Sequence, residues 1–381
     1  MSTPDPRADR ADHQADHQAD AARAALADVC AAIEAQDMSR YAAARDAATA
    51  EMDGKLKPPG SLGRLETLAV RLAGATGSAT PRVEDPVVVV CAADHGITAQ
   101  GVSAFPAEIT GLMLRSFATG GAAVNVLAQQ AGARLVVADL GTVAPPELGP
   151  DDSPVLDLRV RAGTADSTVE EAMTREEAER ALAHGIRLGR RLIGEGADLL
   201  VLGEMGIGNT TTAAALSAAL LGRPAEAVCG RGTGVDDAGY ARKVAAVQAA
   251  LDRHDLGPDH GADPVTVLAA VGGLEIAALA GVVLGGVEAD VPVLLDGFIT
   301  GAAALVAQAL SPTSTRVMIA GHLSAEPGHA HQLEALGLDP LLRLDLRLGE
   351  ASGGCLAVPL VRAAAAVLAQ MATFASLGLA P

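Results

Sequence analysis

The sequence predicts an α/β protein built on a doubly wound parallel sheet, and three observations carry that expectation. Short continuous apolar runs at residues 87–90, 135–138, 199–202, 291–295 and 317–320 suit strands buried on both faces. Helical segments lie between them, as crossovers between parallel strands require. Four of the runs also change abruptly into glycine and polar residues. Val90 leads into Cys91-Ala92-Ala93-Asp94-His95-Gly96, and Leu202 into Gly203-Glu204-Met205-Gly206-Ile207-Gly208-Asn209-Thr210-Thr211-Thr212. Leu295 leads into Asp296-Gly297-Phe298, and Ala320 into Gly321-His322-Leu323-Ser324-Ala325-Glu326. Ligands of open parallel sheets bind outside the carboxyl ends of the strands, so these ends predict one convergent small-molecule site.

Along the chain, residues 1–20 hold the tandem Ala-Asp-His-Gln repeat and are expected to form a disordered tail. His13 and His17 stand i,i+4, but a flexible tail offers no second shell for a metal. An Ala-rich helical pattern covers 21–52, Lys57-Pro58-Pro59-Gly60 breaks it, and a further helix covers 62–72. The strand and helix alternation follows. Two apolar stretches, 264–287 and 355–380, could pass for membrane spans. The first contains Glu275 and the pairs Gly272-Gly273 and Gly285-Gly286; the second contains Pro359, Arg362 and Gln370. Mid-span charge is costly in lipid, so both are expected to be buried helices of a soluble protein.

Composition narrows the function. Hydrophobic residues make up 50% of the 381, enough for a large core. Lys plus Arg is 28 against 46 Asp plus Glu, a formal net charge of −18, which disfavours nucleic acid and anionic membranes as partners. Cys30, Cys91, Cys229 and Cys355 stand singly, without the spacings of a disulfide framework or a zinc site. No apolar leader follows Met1, and a cytoplasmic protein is expected.

Several motifs could carry chemistry. In the turn at 203–212, Gly206 and Gly208 let backbone N–H groups approach a ligand, and Asn209 to Thr212 stand where a helix begins. Phosphate suits such a helix start; a tight turn capped by Thr210 is the alternative. No Gly-Lys-Ser/Thr follows, so this is not a Walker loop. Glu204 in that turn would repel phosphate; a ribose hydroxyl, a ring N–H or a neighbouring arginine are its open partners. Gly230-Arg231-Gly232-Thr233-Gly234 is a second glycine-rich turn, with Lys243 on the helix after it. Asp94 and His95 follow a strand and are expected to hold a loop, because no metal-ligand spacing supports them. No Gly-x-Ser-x-Gly elbow occurs. Glu350, in Arg347-Leu348-Gly349-Glu350-Ala351-Ser352-Gly353, precedes an apolar helix, where burial and the helix N-terminus act on its acidity in opposite directions.

Together, Lys57-Pro58-Pro59-Gly60-Ser61-Leu62-Gly63-Arg64-Leu65-Glu66, Ala93-Asp94-His95-Gly96, the Gly203–Thr211 motif, Leu294-Leu295-Asp296-Gly297-Phe298 and the Arg347–Gly353 motif resemble one family in its order. It is the nicotinate-nucleotide–dimethylbenzimidazole phosphoribosyltransferases of cobalamin lower-ligand synthesis. The resemblance implies a Rossmann-like doubly wound parallel sheet at 81–346 with a smaller helical domain from both chain ends, 21–80 and 347–381, and a homodimer. It implies transfer of phosphoribose from nicotinate mononucleotide to 5,6-dimethylbenzimidazole, without a cofactor or a metal. By position, Glu350 would be the catalytic proton acceptor and Glu204 the second carboxylate near the base. Gly206, Gly208, Asn209, Thr210, Lys243, Asp296 and Ser324 would bind substrate, with Lys243 suited to phosphate. Phe105, Met113 and Leu348 would line the base pocket. The chemistry needs only one base: the acceptor ring sheds a proton as it attacks, and nicotinate leaves from a pyridinium without general acid help.

Overall fold

The computed structural model describes residues 6–378 apart from residue 233, with side chains from residue 19 onward. Six strands form the sheet: β1 (Pro86–Ala93), β2 (Arg134–Gly141), β3 (Val155–Asp157), β4 (Leu199–Met205), β5 (Val293–Leu295) and β6 (Met318–Ala320). Their order is β3-β2-β1-β4-β5-β6, and every neighbouring pair is parallel. The doubly wound parallel sheet is therefore present. The chain leaves β1 toward β2 and β3 on one side and returns to β4 on the other, so the topological switch lies between β1 and β4.

Strand side chains alternate between two apolar clusters, as a period of two requires. Val87, Val89, Cys91, Leu200, Leu202, Val293 and Leu295 face the helices Arg175–Gly194, Leu274–Glu288 and Phe298–Leu310. Val88, Val90, Val201, Leu294 and Ile319 face the helices Arg64–Thr76 and Ser352–Gln370. The helices Arg64–Thr76 and Ser352–Gln370 thus cover one face of the sheet, while Leu26, Val29 and Ile33 of the first helix join the cluster on the other. Lys55 bridges to Thr373, tying the two chain ends together. The helix Ser352–Gln370 is long and apolar enough to cross a membrane, but Val358, Val361, Ala364 and Leu368 on it belong to the core. The stretch 264–287 is likewise buried, as two helices, Pro264–Val271 and Leu274–Glu288.

Three local differences from the sequence expectation have clear causes. The first helix runs Pro6–Glu34, taking in residues 6–20 of the expected tail. Alanines at 8, 11, 15 and 19 continue the spacing of the buried Ala22, Leu26, Val29 and Ile33, and alanine favours helix most. Residues 1–5, and the side chains of His13 and His17, lie outside the described residues. The helical pattern of 21–52 is split at Asp37, whose carboxylate accepts the Ser39 N–H at 2.9 Å and caps a new helix, Met38–Asp53. Finally, β3 is an additional short edge strand in which Val155 and Leu156 are only partly buried and Asp157 is exposed.

Candidate active site

The strand ends converge at the switch. Glu204, in β4, is 5% exposed, and its Oε2 accepts a hydrogen bond from Asn209 Nδ2. Glu350 arrives from the opposite end of the chain and is also 5% exposed. Three consecutive residues, Gly349, Glu350 and Ala351, have φ of 84°, 59° and 63°. Left-handed backbone at two non-glycine residues is uncommon and marks a turn held by its surroundings. Gly203 in β4 provides part of that hold, lying directly against the turn. A Cβ there would stand 2.7 Å from the Ala351 backbone nitrogen and 2.9 Å from the Glu350 carbonyl carbon. A Cβ on Gly349 would collide with Glu204 Oε1. Two sequence-distant carboxylates are thereby brought to one place, and only glycines leave room for it.

Asp296 follows β5 and is 1% exposed. Its Oδ1 accepts the Gly354 N–H at 2.9 Å, at the start of the helix Ser352–Gln370, and lies 3.4 Å from His322 Nε2. It therefore fixes the helix that follows the Glu350 turn. Burial pushes the Glu204 carboxyl well above its usual range, and the charges of Asp296, Glu275 and Glu350 add to the rise against the Asn209 hydrogen bond. Glu350 is also raised, first by burial and then by Asp296, while the Val124 backbone N–H opposes the shift. Glu350 Oε2 is buried without a hydrogen-bond partner. A desolvated carboxylate with an open lone pair is equipped to take a proton.

The raised Glu204 acidity has a stability consequence. An unfolded glutamate loses its proton near pH ~4.3. Above that pH, and up to its higher folded value, Glu204 holds a proton that the unfolded chain has released, so stability falls as pH rises. Glu204→Gln is expected to raise the melting temperature at pH 7 and to leave it unchanged near pH 4; equal melting temperatures at both pH values would contradict the assignment.

Asn209 and Thr210 open the helix Asn209–Leu221 and face different groups. Asn209 belongs to the Glu204 end. Thr210 Oγ1 accepts a 2.9 Å hydrogen bond from Lys243 Nζ, so it does not cap its helix; Gly208, φ 96°, occupies the cap position. Lys243 is fully buried, and that burial lowers its pKa against the opposing charge of Glu326. The turn before the helix is braced from behind. His95 Nε2 lies 2.9 Å from Glu275 Oε1, and His95 Nδ1 lies 3.0 Å from Thr212 Oγ1. A Cβ on Gly206 would stand 2.9 Å from His95 Nε2, and one on Gly208 2.7 Å from Thr98 Cγ2. One end of the site thus carries carboxylates and the other a buried ammonium beside a helix start.

Comparison with known proteins identifies the family. A family model described as a phosphoribosyltransferase matches residues 38–379. The nicotinate-nucleotide–dimethylbenzimidazole phosphoribosyltransferase of Chloroflexus aurantiacus is 52% identical over 335 residues, covering 88% of this chain and 94% of that protein. The protein of the same name from Thermus thermophilus is 54% identical over 327 residues, covering 86% and 95%. The crystal structure of CobT from Thermus thermophilus superposes with a TM-score of 0.84 at 52% identity, covering 88% of this chain and 99% of that one. The chain belongs to the nicotinate-nucleotide–dimethylbenzimidazole phosphoribosyltransferase family. It is a phosphoribosyltransferase, and the helices at its two termini and its parallel sheet are those of the CobT structures.

Within this phosphoribosyltransferase, the remaining residues expected at the site are placed as follows. Ser324 is buried, donating its N–H to His329 Nδ1 at 2.9 Å and accepting the Glu326 N–H at 3.3 Å. Met113 is half-buried on the helix Ile109–Ala118, whose Thr110 hydroxyl accepts the Ile207 N–H. Phe105 and Leu348 are 52% and 56% exposed. Asp94 Oδ2 accepts the Val143 N–H, holding a loop as expected. Arg231 pairs with Asp237 at 2.5 Å. Lys57 binds Glu66 at 2.8 Å, so the proline-containing motif braces a helix start. Sequence patterns did not single out Glu326 or Thr110, because their partners lie far away along the chain.

The Gly203 contact gives a direct test of the carboxylate geometry. Gly203→Ala must displace the Glu350 turn, and misplacement of about 1 Å can cost ~10²-fold in rate. We expect kcat to fall by about that factor with the fold intact by circular dichroism. An unchanged kcat would detach the turn from catalysis.

Proposed function

We propose that the protein transfers the phosphoribosyl group of nicotinate mononucleotide to 5,6-dimethylbenzimidazole, giving α-ribazole 5′-phosphate and nicotinate. The observation that carries this is Glu350, with its buried, unpartnered Oε2 beside Glu204 at the end of β4. In the reaction the bond from ribose C1′ to the pyridinium nitrogen breaks, and its electron pair neutralises the nicotinate ring. One benzimidazole nitrogen forms the new bond to C1′, and the other releases its proton to Glu350. Attack opposite the leaving group turns a β linkage into an α one. Lys243, Thr210 and the turn at 206–208 bind the 5′-phosphate, where a charge-assisted hydrogen bond and a helix start favour an anion. Asp296 holds the start of the helix after Glu350, and Ser324 lies on the substrate side of β6.

Phe105, Met113 and Leu348 form the acceptor wall. The exposure of Phe105 and Leu348 suits side chains covered when the aromatic acceptor arrives. Burying one methyl contributes about 0.8 kcal/mol. Phe105→Ala is therefore expected to reduce the several-fold preference for dimethylbenzimidazole over benzimidazole, and an unchanged ratio would place Phe105 elsewhere. The protein is further proposed to act in the cytoplasm as a homodimer, for which exposed Leu112, Val143 and Leu344 offer apolar contact. The function is tested by incubating the protein with nicotinate mononucleotide and a panel of bases. Mass spectrometry should find α-ribazole 5′-phosphate and nicotinate in equal amounts. Exclusive use of a purine or phenolic acceptor would instead favour a transferase of different specificity.

A further inference from the structure

A cavity of about 470 Å³ lies between the helices Met38–Asp53 and Arg64–Thr76 and the turn Pro312–Arg316. That turn precedes β6, whereas the catalytic groups follow the strands, so the cavity is at the other edge of the sheet. Its polar lining is Arg45, Arg71 and Arg316 with Thr67, Thr313 and Thr315, apart from the Tyr41 hydroxyl, and no carboxylate lines it. That runs against the composition, in which acids outnumber lysine and arginine by 46 to 28.

The arginines are held in place but only one is neutralised. Arg71 donates Nε to the Met318 carbonyl at 2.7 Å and Nη2 to the Thr315 carbonyl at 2.9 Å, which orients the guanidinium and leaves its charge unopposed. The stem of Arg45 lies across Gly74, where a Cβ would come within 2.7 Å of it. Among the described residues, no carboxylate forms a salt bridge with Arg45 or Arg71. Arg316 is the neutralised one: it pairs with Asp290 at 3.1 Å, under the ring of Tyr41. Its side chain is 8% exposed, yet its Nε is buried with no partner. An adjoining cavity of about 410 Å³ shares Thr67, Arg71 and Gly337 and holds Arg64 together with Glu334 and Asp339. The cationic end is therefore the part around Arg45.

We propose that this cavity is a second ligand site, separate from the catalytic centre, for a small molecule bearing a phosphate monoester or carboxylate. Fork-shaped guanidinium donors match such oxyanions, and the space is in the range of small-molecule pockets. Arg45 and the threonine hydroxyls would contact the anion, while Arg71 supplies fixed charge.

Isothermal titration of inorganic phosphate, and separately of nicotinate, into the full-length protein tests it. Arg45→Gln, at an exposed position, is expected to weaken one binding event by about tenfold or more, the size of a lost hydrogen bond to a charged group. Thr313→Val should weaken the same event, and transferase kcat and KM should stay at wild-type values in both. Sensitivity to Arg45→Gln for phosphate alone would assign a phosphate ligand; sensitivity for nicotinate alone would assign a carboxylate. Wild-type protein binding both anions no better than Arg45→Gln would overturn the proposal. So would a change in sedimentation of Arg45→Gln without any change in anion binding, which would make the cavity a contact between copies.

Discussion

Replacing Glu350 with glutamine should lower kcat by ~10²–10⁴-fold, the usual contribution of a general base. Glutamine keeps the shape of the side chain and can still accept the Val124 N–H that faces Glu350. It cannot take a proton from the acceptor ring at neutral pH. KM for nicotinate mononucleotide should change little, since the proposed mechanism assigns Glu350 to the acceptor side. The wild-type pH profile should agree in sign. Burial raises the Glu350 carboxyl, so its ionised, active form is lost as pH falls through that raised value, at a higher pH than for an ordinary glutamate. The variant should lack this acidic limb, and steady-state kinetics across pH checks both effects.

Lys243→Met should act on the donor instead. Lys243 Nζ is buried and bonded to Thr210 Oγ1, beside the helix start assigned to phosphate. A hydrogen bond to a charged group contributes about 1.5–3 kcal/mol, so KM for nicotinate mononucleotide should rise by roughly 10- to 100-fold. An interaction made equally in ground and transition states leaves kcat at saturation unchanged. KM for dimethylbenzimidazole should also be steady. A rise in both KM values by one factor would move the phosphate away from Lys243. Gly208→Val is a poorer probe than its place in the turn implies: at φ 96° and with Thr98 against it, any side chain would distort the turn before reaching a ligand.

Much of this architecture is legible in the sequence for physical reasons. Strands such as 87–90 and 199–202 are buried on both faces, so they stand out as continuous apolar runs, and their glycine-rich ends mark the site. The short β3 is only half-buried and lacks that contrast. The helical spacing through residues 8–19 is carried by alanine, too weakly apolar to register as a face beside a polar repeat. Glu275 was visible only as a charge interrupting an apolar stretch; its role against His95 depends on packing between elements 180 residues apart. The same limit hides the meeting of Gly203, Gly349 and Glu350. Local pattern gave Glu350 a helix start, and only tertiary structure brings it to Glu204. Likewise nothing in the sequence of the turn shows that Asn209 faces Glu204 while Thr210 faces Lys243.

Because Glu204 lies beside Glu350, one carboxylate could stand in for the other, and a single substitution would then underestimate the contribution of the base. The decisive measurement is kcat of the Glu204→Gln, Glu350→Gln double variant with nicotinate mononucleotide and dimethylbenzimidazole, its fold verified by thermal unfolding. A carboxylate base predicts a loss of at least ~10²-fold, no smaller than that of Glu350→Gln alone. A folded double variant with near-wild-type kcat would contradict it.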